Sequence, residues 1–163
     1  MVEYVPEEVL YKYFTPQRQQ DPKACVSFAI AHGIMTQLYI KGVKSFIDAN
    51  DLRAAQLKFL KKDKMKAIGF DEGFRIFEDG YQGIKIHPPA KVKFEFDRIR
   101  RWIWKGYPVF MTTLTNGFLH AVVAVGFGKD FFYVIDSAGG KYKQLDDFST
   151  IEECFITFLP KEK

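Results

Sequence analysis

Sulfur and imidazole are scarce in this chain. Two cysteines, Cys25 and Cys154, and three histidines, His32, His87 and His120, are spread over 163 residues. Two distant thiols cannot build a disulfide framework or a four-thiolate zinc site. So few imidazoles leave no metal-ligand cluster, and no metal is expected. Long apolar runs are also missing: nothing reaches the roughly 18 residues a spanning helix needs, so no membrane segment is expected. Met1 to Gln20 carries Glu3, Glu7 and Glu8 without an apolar run and does not resemble a signal peptide. Charge of one sign is not in marked excess. The net +4, with a pI near 8.9, is mildly basic and by itself calls for no nucleic-acid partner. The expectation is a protein with reduced thiols, in the cytoplasm or another reducing compartment.

Large apolar side chains, by contrast, are plentiful. Phenylalanine occurs 17 times and hydrophobic residues make up 47%, which excludes a wholly disordered or low-complexity chain. A chain this long can bury roughly 70% of its unfolded surface, enough for one core and a cleft, so residues 1–163 are read as a single domain. The first part reads helical. Asp21-Pro22 supplies a cap and a first-turn proline, and Cys25, Phe28, Ala29, Ala31, Met35, Leu38 and Tyr39 then recur at helical spacing up to Gly42. Further helices are expected over about 50–62, 71–78 and 96–105. The proline pair in His87-Pro88-Pro89 makes a break.

From Pro108 the period becomes two. Strands are expected over 109–115, 119–127, 131–135, 141–145 and 154–159, punctuated by Asn116-Gly117 and Gly128-Lys129-Asp130. Their close spacing favours an antiparallel sheet or barrel. Helices first and strands afterwards give an α+β fold: a helical lobe over about 19–106, and a β lobe over about 107–163 joined by the N-terminal segment.

Cys25 falls in the first turn of the first helix, where unpaired N–H groups and the helix dipole favour an anion. A histidine beside such a position can bring a thiol pKa to about 3.5–7.5. A lone cysteine is equally a small buried hydrophobe, so its partners decide. His120 opens the apolar strand after Asn116-Gly117, and sixteen positions later Asp136 ends the next one. A hairpin about Gly128-Lys129-Asp130 brings strand start and strand end together on one rim. The aspartate could then fix the imidazole tautomer and leave the other ring nitrogen for the thiol.

Gln19-Gln-Asp-Pro-Lys-Ala-Cys25-Val-Ser-Phe-Ala resembles the nucleophile motif of papain-like cysteine peptidases, with a Gln six residues before a helix-opening Cys. The block from His120-Ala-Val to Gly126-Phe-Gly128, followed by Asp136-Ser-Ala-Gly139, is similar to that family's His-Ala-Val…Gly-Tyr-Gly…Asn-Ser-Trp-Gly run, at the same His-to-Asn spacing. Ile99-Arg-Arg-Trp-Ile-Trp-Lys-Gly106-Tyr-Pro-Val resembles the helix and strand that precede the histidine. The blocks touch about half the chain, in the family's order.

The resemblance implies a papain-like α+β fold and a cysteine endopeptidase acting on a protein or peptide substrate without a cofactor. Cys25 would be the nucleophile, His120 the base and then acid, and Asp136 the orienting group. Gln19 would donate to the oxyanion; Gln17 and Gln20 share its residue type, but the six-residue spacing selects Gln19. Gly69 and Phe70 match, more weakly, the glycine-rich edge that pairs with substrate backbone. Asp136 departs from the usual Asn, as in bacteriocin-leader-processing cysteine peptidases, whose strand block is also similar. Ala138 stands for a Trp, Pro22 for a disulfide Cys and Val26 for a Trp. The chain is shorter than the usual catalytic domain and shows no recognisable pro-segment, which would suit a microbial or viral source. The alternatives are an acyltransferase or transglutaminase-type enzyme on the same residues, and a catalytically impaired binding module. His32, His87, Cys154 and the lysine run from Lys58 to Lys66 read as structural. The oligomeric state is not specified.

Overall fold

The computed structural model describes residues 4–160; the ends of the chain included in the 1–163 span, and the start of the segment read from Met1, lie outside the described residues. Helix α1, Cys25–Ile40, follows a 3₁₀ turn at Pro22–Ala24, whose N-terminal end is capped by Asp21 Oδ1 accepting from the Lys23 N–H at 2.9 Å. Its residues from Val26 to Gln37 are all buried, polar Ser27, His32, Thr36 and Gln37 included, so it runs through the core. Gly33 permits this. A Cβ there would sit 2.3 Å from the Phe110 ring, so only the bare backbone lets α1 lie so close to the sheet. Helix α2, Ala49–Leu60, is capped by Asp48 and packs on α1.

The helix expected over 71–78 is divided into α3, Phe70–Gly73, and α4, Arg75–Asp79. Gly73 ends the first piece. It is a poor helix former, and it backs onto α1, where a Cβ would meet Ile30 at 2.7 Å. Helix α5, Phe96–Trp104, lies on the opposite face of the sheet from α1, burying Ile99 and Ile103 against Val122, Ala124, Phe132 and Val134.

The strands are β1 (Val9–Leu10), β2 (Ala90–Val92), β3 (Val109–Thr115), β4 (Phe118–Phe127), β5 (Phe132–Asp136), β6 (Lys141–Leu145) and β7 (Ile151–Ile156). They form one sheet, antiparallel at every pairing, in the order β2-β7-β3-β4-β5-β6. Strand β1 continues β3 along β4, pairing Leu10 with Gly126 just beyond the last β3 pair, Val109 with Ala124. The last strand begins at Ile151 and ends at Ile156, three residues earlier at each end than the apolar run 154–159 suggests. Glu152 and Glu153 obscure its start, being outward-facing members of a strand whose buried residues are Cys154, Phe155 and Ile156. The architecture is α+β: helices α1 to α4 come first, and an antiparallel sheet follows.

Candidate active site

The start of α1 and the start of β4 meet in a cleft of about 1130 Å³ whose lining includes Gln19, Cys25, Gly69, Phe70, His120 and Asp136. The sequence-expected site residues are therefore brought together. Cys25 is half-buried at the first position of α1. Its thiol shares the cleft with the His120 ring and helps raise that ring's pKa. The other side of the ring is engaged by Asp136, with His120 Nε2 and Asp136 Oδ1 2.7 Å apart. That contact leaves Nδ1 as the nitrogen for the thiol.

A bulge makes the His120–Asp136 contact possible. Near the hairpin turn, β4 and β5 pair Phe127 with Phe132 and Gly126 with Tyr133. The register then slips by one, so that Ala124 pairs with Val134 and Val123 with Ile135. Continuing this register sets Asp136 opposite Val122, on the same face as His120. Without the slip Asp136 would oppose Val123 and point to the other face. The sixteen-residue spacing works because one residue of β4 is left out of the ladder.

Asp136 is 5% exposed. Burial pushes its pKa up, but hydrogen bonds from His120 and Lys143 outweigh this and hold the carboxyl well below its usual range. Oδ1 also accepts from the Ala138 N–H at 3.0 Å, and Lys143 Nζ binds Oδ2. His120 moves the opposite way. Its hydrogen bond to Asp136, then the one to Cys25, raise its pKa to about 9 against the opposing effect of burial.

Gln19 is fastened to the strand side of the cleft. Its N–H donates to Ser137 O at 2.9 Å, its Oε1 accepts from Ser137 Oγ, and its Nε2 donates to Asp21 O at 3.1 Å. Gln17 is committed elsewhere. Its amide holds Ile47 O at 2.7 Å and the Ala49 N–H at 2.8 Å, closing the turn into α2. Gly69 is extended and exposed at the lip, at the start of α3. Phe70 is 2% exposed and packs its ring on Phe74, Phe110 and Phe155, so it is chiefly core beneath the cleft.

Three positioning groups escape a reading of motifs. Lys143 and Ser137 have been described. Arg53, 6% exposed on α2, donates to Lys23 O at 3.1 Å, Lys64 O at 3.2 Å and Lys66 O at 3.1 Å. It ties the turn before Cys25 to the loop that leads to Gly69. A basic residue among the apolar positions of a helix is the one signal that could have singled it out. Cys154 is 1% exposed, and burial together with Glu153 pushes its pKa up to about 12. His32 is wholly buried, and His87 lies outside any helix or strand. Among the described residues no helix is long and apolar enough to cross a membrane, and no group of three or more His, Cys, Asp or Glu side chains could hold a metal ion.

No protein-family model and no curated protein matches the chain. Solved structures do. Xylellain, a cysteine protease from Xylella fastidiosa, superposes with a TM-score of 0.78 at 13% identity, over 97% of this chain and 88% of that one. A cysteine protease of Carica candamarcensis, in complex with E-64, gives 0.75 at 14% identity over 96% and 100%. Procathepsin L 3 from the larval midgut of Tenebrio molitor gives 0.75 at 11% over 96% and 71%. The chain has the papain-like fold of these cysteine proteases.

Proposed function

We propose that the protein is a cysteine endopeptidase working through Cys25, His120 and Asp136, with Gln19 in the oxyanion hole. The observation that carries this reading is a single imidazole joined to a buried carboxylate inside an open cleft that it shares with a helix-opening thiol. In the reaction Cys25 attacks the scissile carbonyl as thiolate, forming the S–C bond. His120, protonated through Nδ1, then gives its proton to the leaving amine as the C–N bond breaks. Water, deprotonated by the same nitrogen, hydrolyses the thioester and returns the thiol. Asp136 keeps the ring oriented throughout. Gln19 Nε2 has two N–H groups; with one on Asp21 O, the second is the donor for the oxyanion, alongside the Cys25 backbone N–H.

A peptide is the substrate that such a cleft suits. Its walls are apolar, from Val26, Ile68, Phe118, Leu119 and Phe155, and Lys91 and Glu153 lie at its rim. The test is chemical first. A thiol-directed electrophile should label Cys25 rapidly and leave Cys154 unmodified in the folded protein, because Cys154 is buried and holds its proton. Cleavage of a diverse peptide library should then disappear in Cys25→Ala. Equal, slow labelling of both thiols, or cleavage that survives Cys25→Ala, would refute the reading.

A further inference from the structure

Strands β4, β5 and β6 carry His120, Asp136 and Lys143 on a diagonal across the sheet. The β5–β6 ladder pairs Asp136 with Lys141, and Lys143, two residues on, shares that face. We propose that Lys143 is a positioning residue of the site, whose ammonium occupies Oδ2 of Asp136 so that the carboxylate meets His120 as a neutralised acceptor, the electrostatic equivalent of an amide. This rests on the reading of Cys25, His120 and Asp136 given above.

The contacts divide the carboxylate cleanly. Oδ1 serves the His120 ring at 2.7 Å and the Ala138 N–H at 3.0 Å, while Oδ2 is left to Lys143. A carboxylate with an 8% exposed side chain is costly unless paired. Before His120 is protonated, the pair must come from Lys143, whose own side chain is 45% exposed and reaches in from the solvent edge.

The other charged groups near the ring are few. Cys25 faces it from α1. Strand β3 opposes it with uncharged Thr113. Beyond β3, Glu153 on β7 is bonded to Lys91 at 2.7 Å. Lys141, opposite Asp136 on β6, lies along Gly139; Lys23 and Asp71 line the cleft farther along, and Arg18 lies over Gly140 beside the β5–β6 turn. Lys143 is the cation in contact with the triad carboxylate.

The consequence has a definite sign. Asp136 holds a proton on His120, and Lys143 offsets part of that pull. Removing Lys143 should therefore raise the His120 titration. Replacing Asp136 by Asn should lower it, because the ammonium then faces the ring without the carboxylate's opposing pull. Removing both should leave it between Asp136→Asn and the original.

The experiment follows the ring Cε1–H by NMR in a Cys25→Ser background, so that no thiol titrates alongside. The His120 signal is assigned by its loss in His120→Asn. Lys143→Met should raise the midpoint by about one unit, the low end of the roughly 1–3 units typical of a charge at this range. Asp136→Asn should lower it, Asp136→Asn/Lys143→Met should lie between Asp136→Asn and the starting value, and Lys143→Arg should leave it in place. An unmoved midpoint in Lys143→Met would overturn the proposal. So would an Asp136→Asn midpoint that does not rise when Lys143→Met is added. Failure of the underlying reading shows itself elsewhere, as alkylation of Cys25 in the otherwise unaltered protein at a rate indifferent to His120→Asn.

Discussion

Two of the three histidines are perturbed in opposite directions, and each leaves its own mark on stability. His32 is buried in α1, with its Nε2 accepting the Gln17 N–H at 2.9 Å and its ring stacked on Phe14. Burial lowers its pKa to about 4. Protonation would destroy the acceptor and strand a charge in an apolar site. Because the folded value lies below the ordinary 6.5, the unfolded chain takes the proton first as pH falls. Stability is then lost between about 6.5 and 4, by on the order of 3 kcal/mol in total. Asp136 adds to the loss below about pH 4, its folded pKa being depressed. For His120, raised to about 9, the contribution is full below the unfolded value and fades as pH rises from 6.5 through 9. Denaturant midpoints measured from pH 4 to 9 should therefore fall at both ends. Between about pH 4 and 6.5 His32→Gln should flatten the fall, and His120→Asn should flatten the alkaline side. An acid slope unchanged in His32→Gln would refute the first assignment.

At the scale of elements, α1 comes close against β3. The Gly33 Cβ would lie 2.3 Å from the Phe110 ring and 3.0 Å from Val123. Phe110 is wholly buried among Phe70 and Phe74, so it cannot swing away freely. Gly33→Ala gains helix propensity but overpacks the core, at a net cost of about 1–3 kcal/mol. Urea unfolding should show the lowered midpoint; an unchanged or raised one would mean that α1 sits farther from the sheet. This crowding is not visible in the sequence, where Gly33 reads only as a weak spot in a helical run. The same limit explains the other differences. Helices α1, α2 and α5 and strands β3 to β6 were legible because period and punctuation agree within them. Strands β1 and β2, of two and three residues, carry no period and exist because β4 and β7 offer edges to them. The break at Gly73 is set by α1 behind it, and the start of β7 is hidden by two glutamates. In the site, residue types and spacing singled out Cys25, Gln19, His120 and Asp136. The register slip that turns Asp136 toward His120 is a tertiary feature, and so are the contacts of Lys143, Ser137 and Arg53.

At the scale of the molecule, the cleft lies between a helix that supplies the thiol and a sheet that supplies the imidazole and carboxylate, and the N-terminal strap binds the two. It pairs as β1 with β4, and Tyr133 Oη donates to Glu8 at 2.6 Å. It then accepts a hydrogen bond from Tyr142 Oη at Phe14 O, 3.0 Å, and lays Arg18 over Gly140 before Gln19 reaches Ser137. Gln19 thus belongs by sequence to the run entering α1 and by contact to the turn after Asp136. The position of its amide reports how the two sides of the cleft are held together. If that amide is an oxyanion donor, Gln19→Ala should lower kcat by about 10²–10³ with little change in KM, because the interaction is made in the transition state. Ser137→Ala removes one of two anchors and keeps the donor, so kcat should fall less, by about tenfold, a fraction of a whole oxyanion donor's worth. Labelling of Cys25 should be as fast as in the unaltered protein in both variants, since neither touches the thiol or its base. Steady-state cleavage of the best library peptide, measured with the labelling rate on the same preparations, separates the cases. An unchanged kcat in Gln19→Ala would remove Gln19 from the oxyanion hole, and a Ser137→Ala loss as large as that of Gln19→Ala would mean that the strap, rather than the amide, is what the reaction depends on.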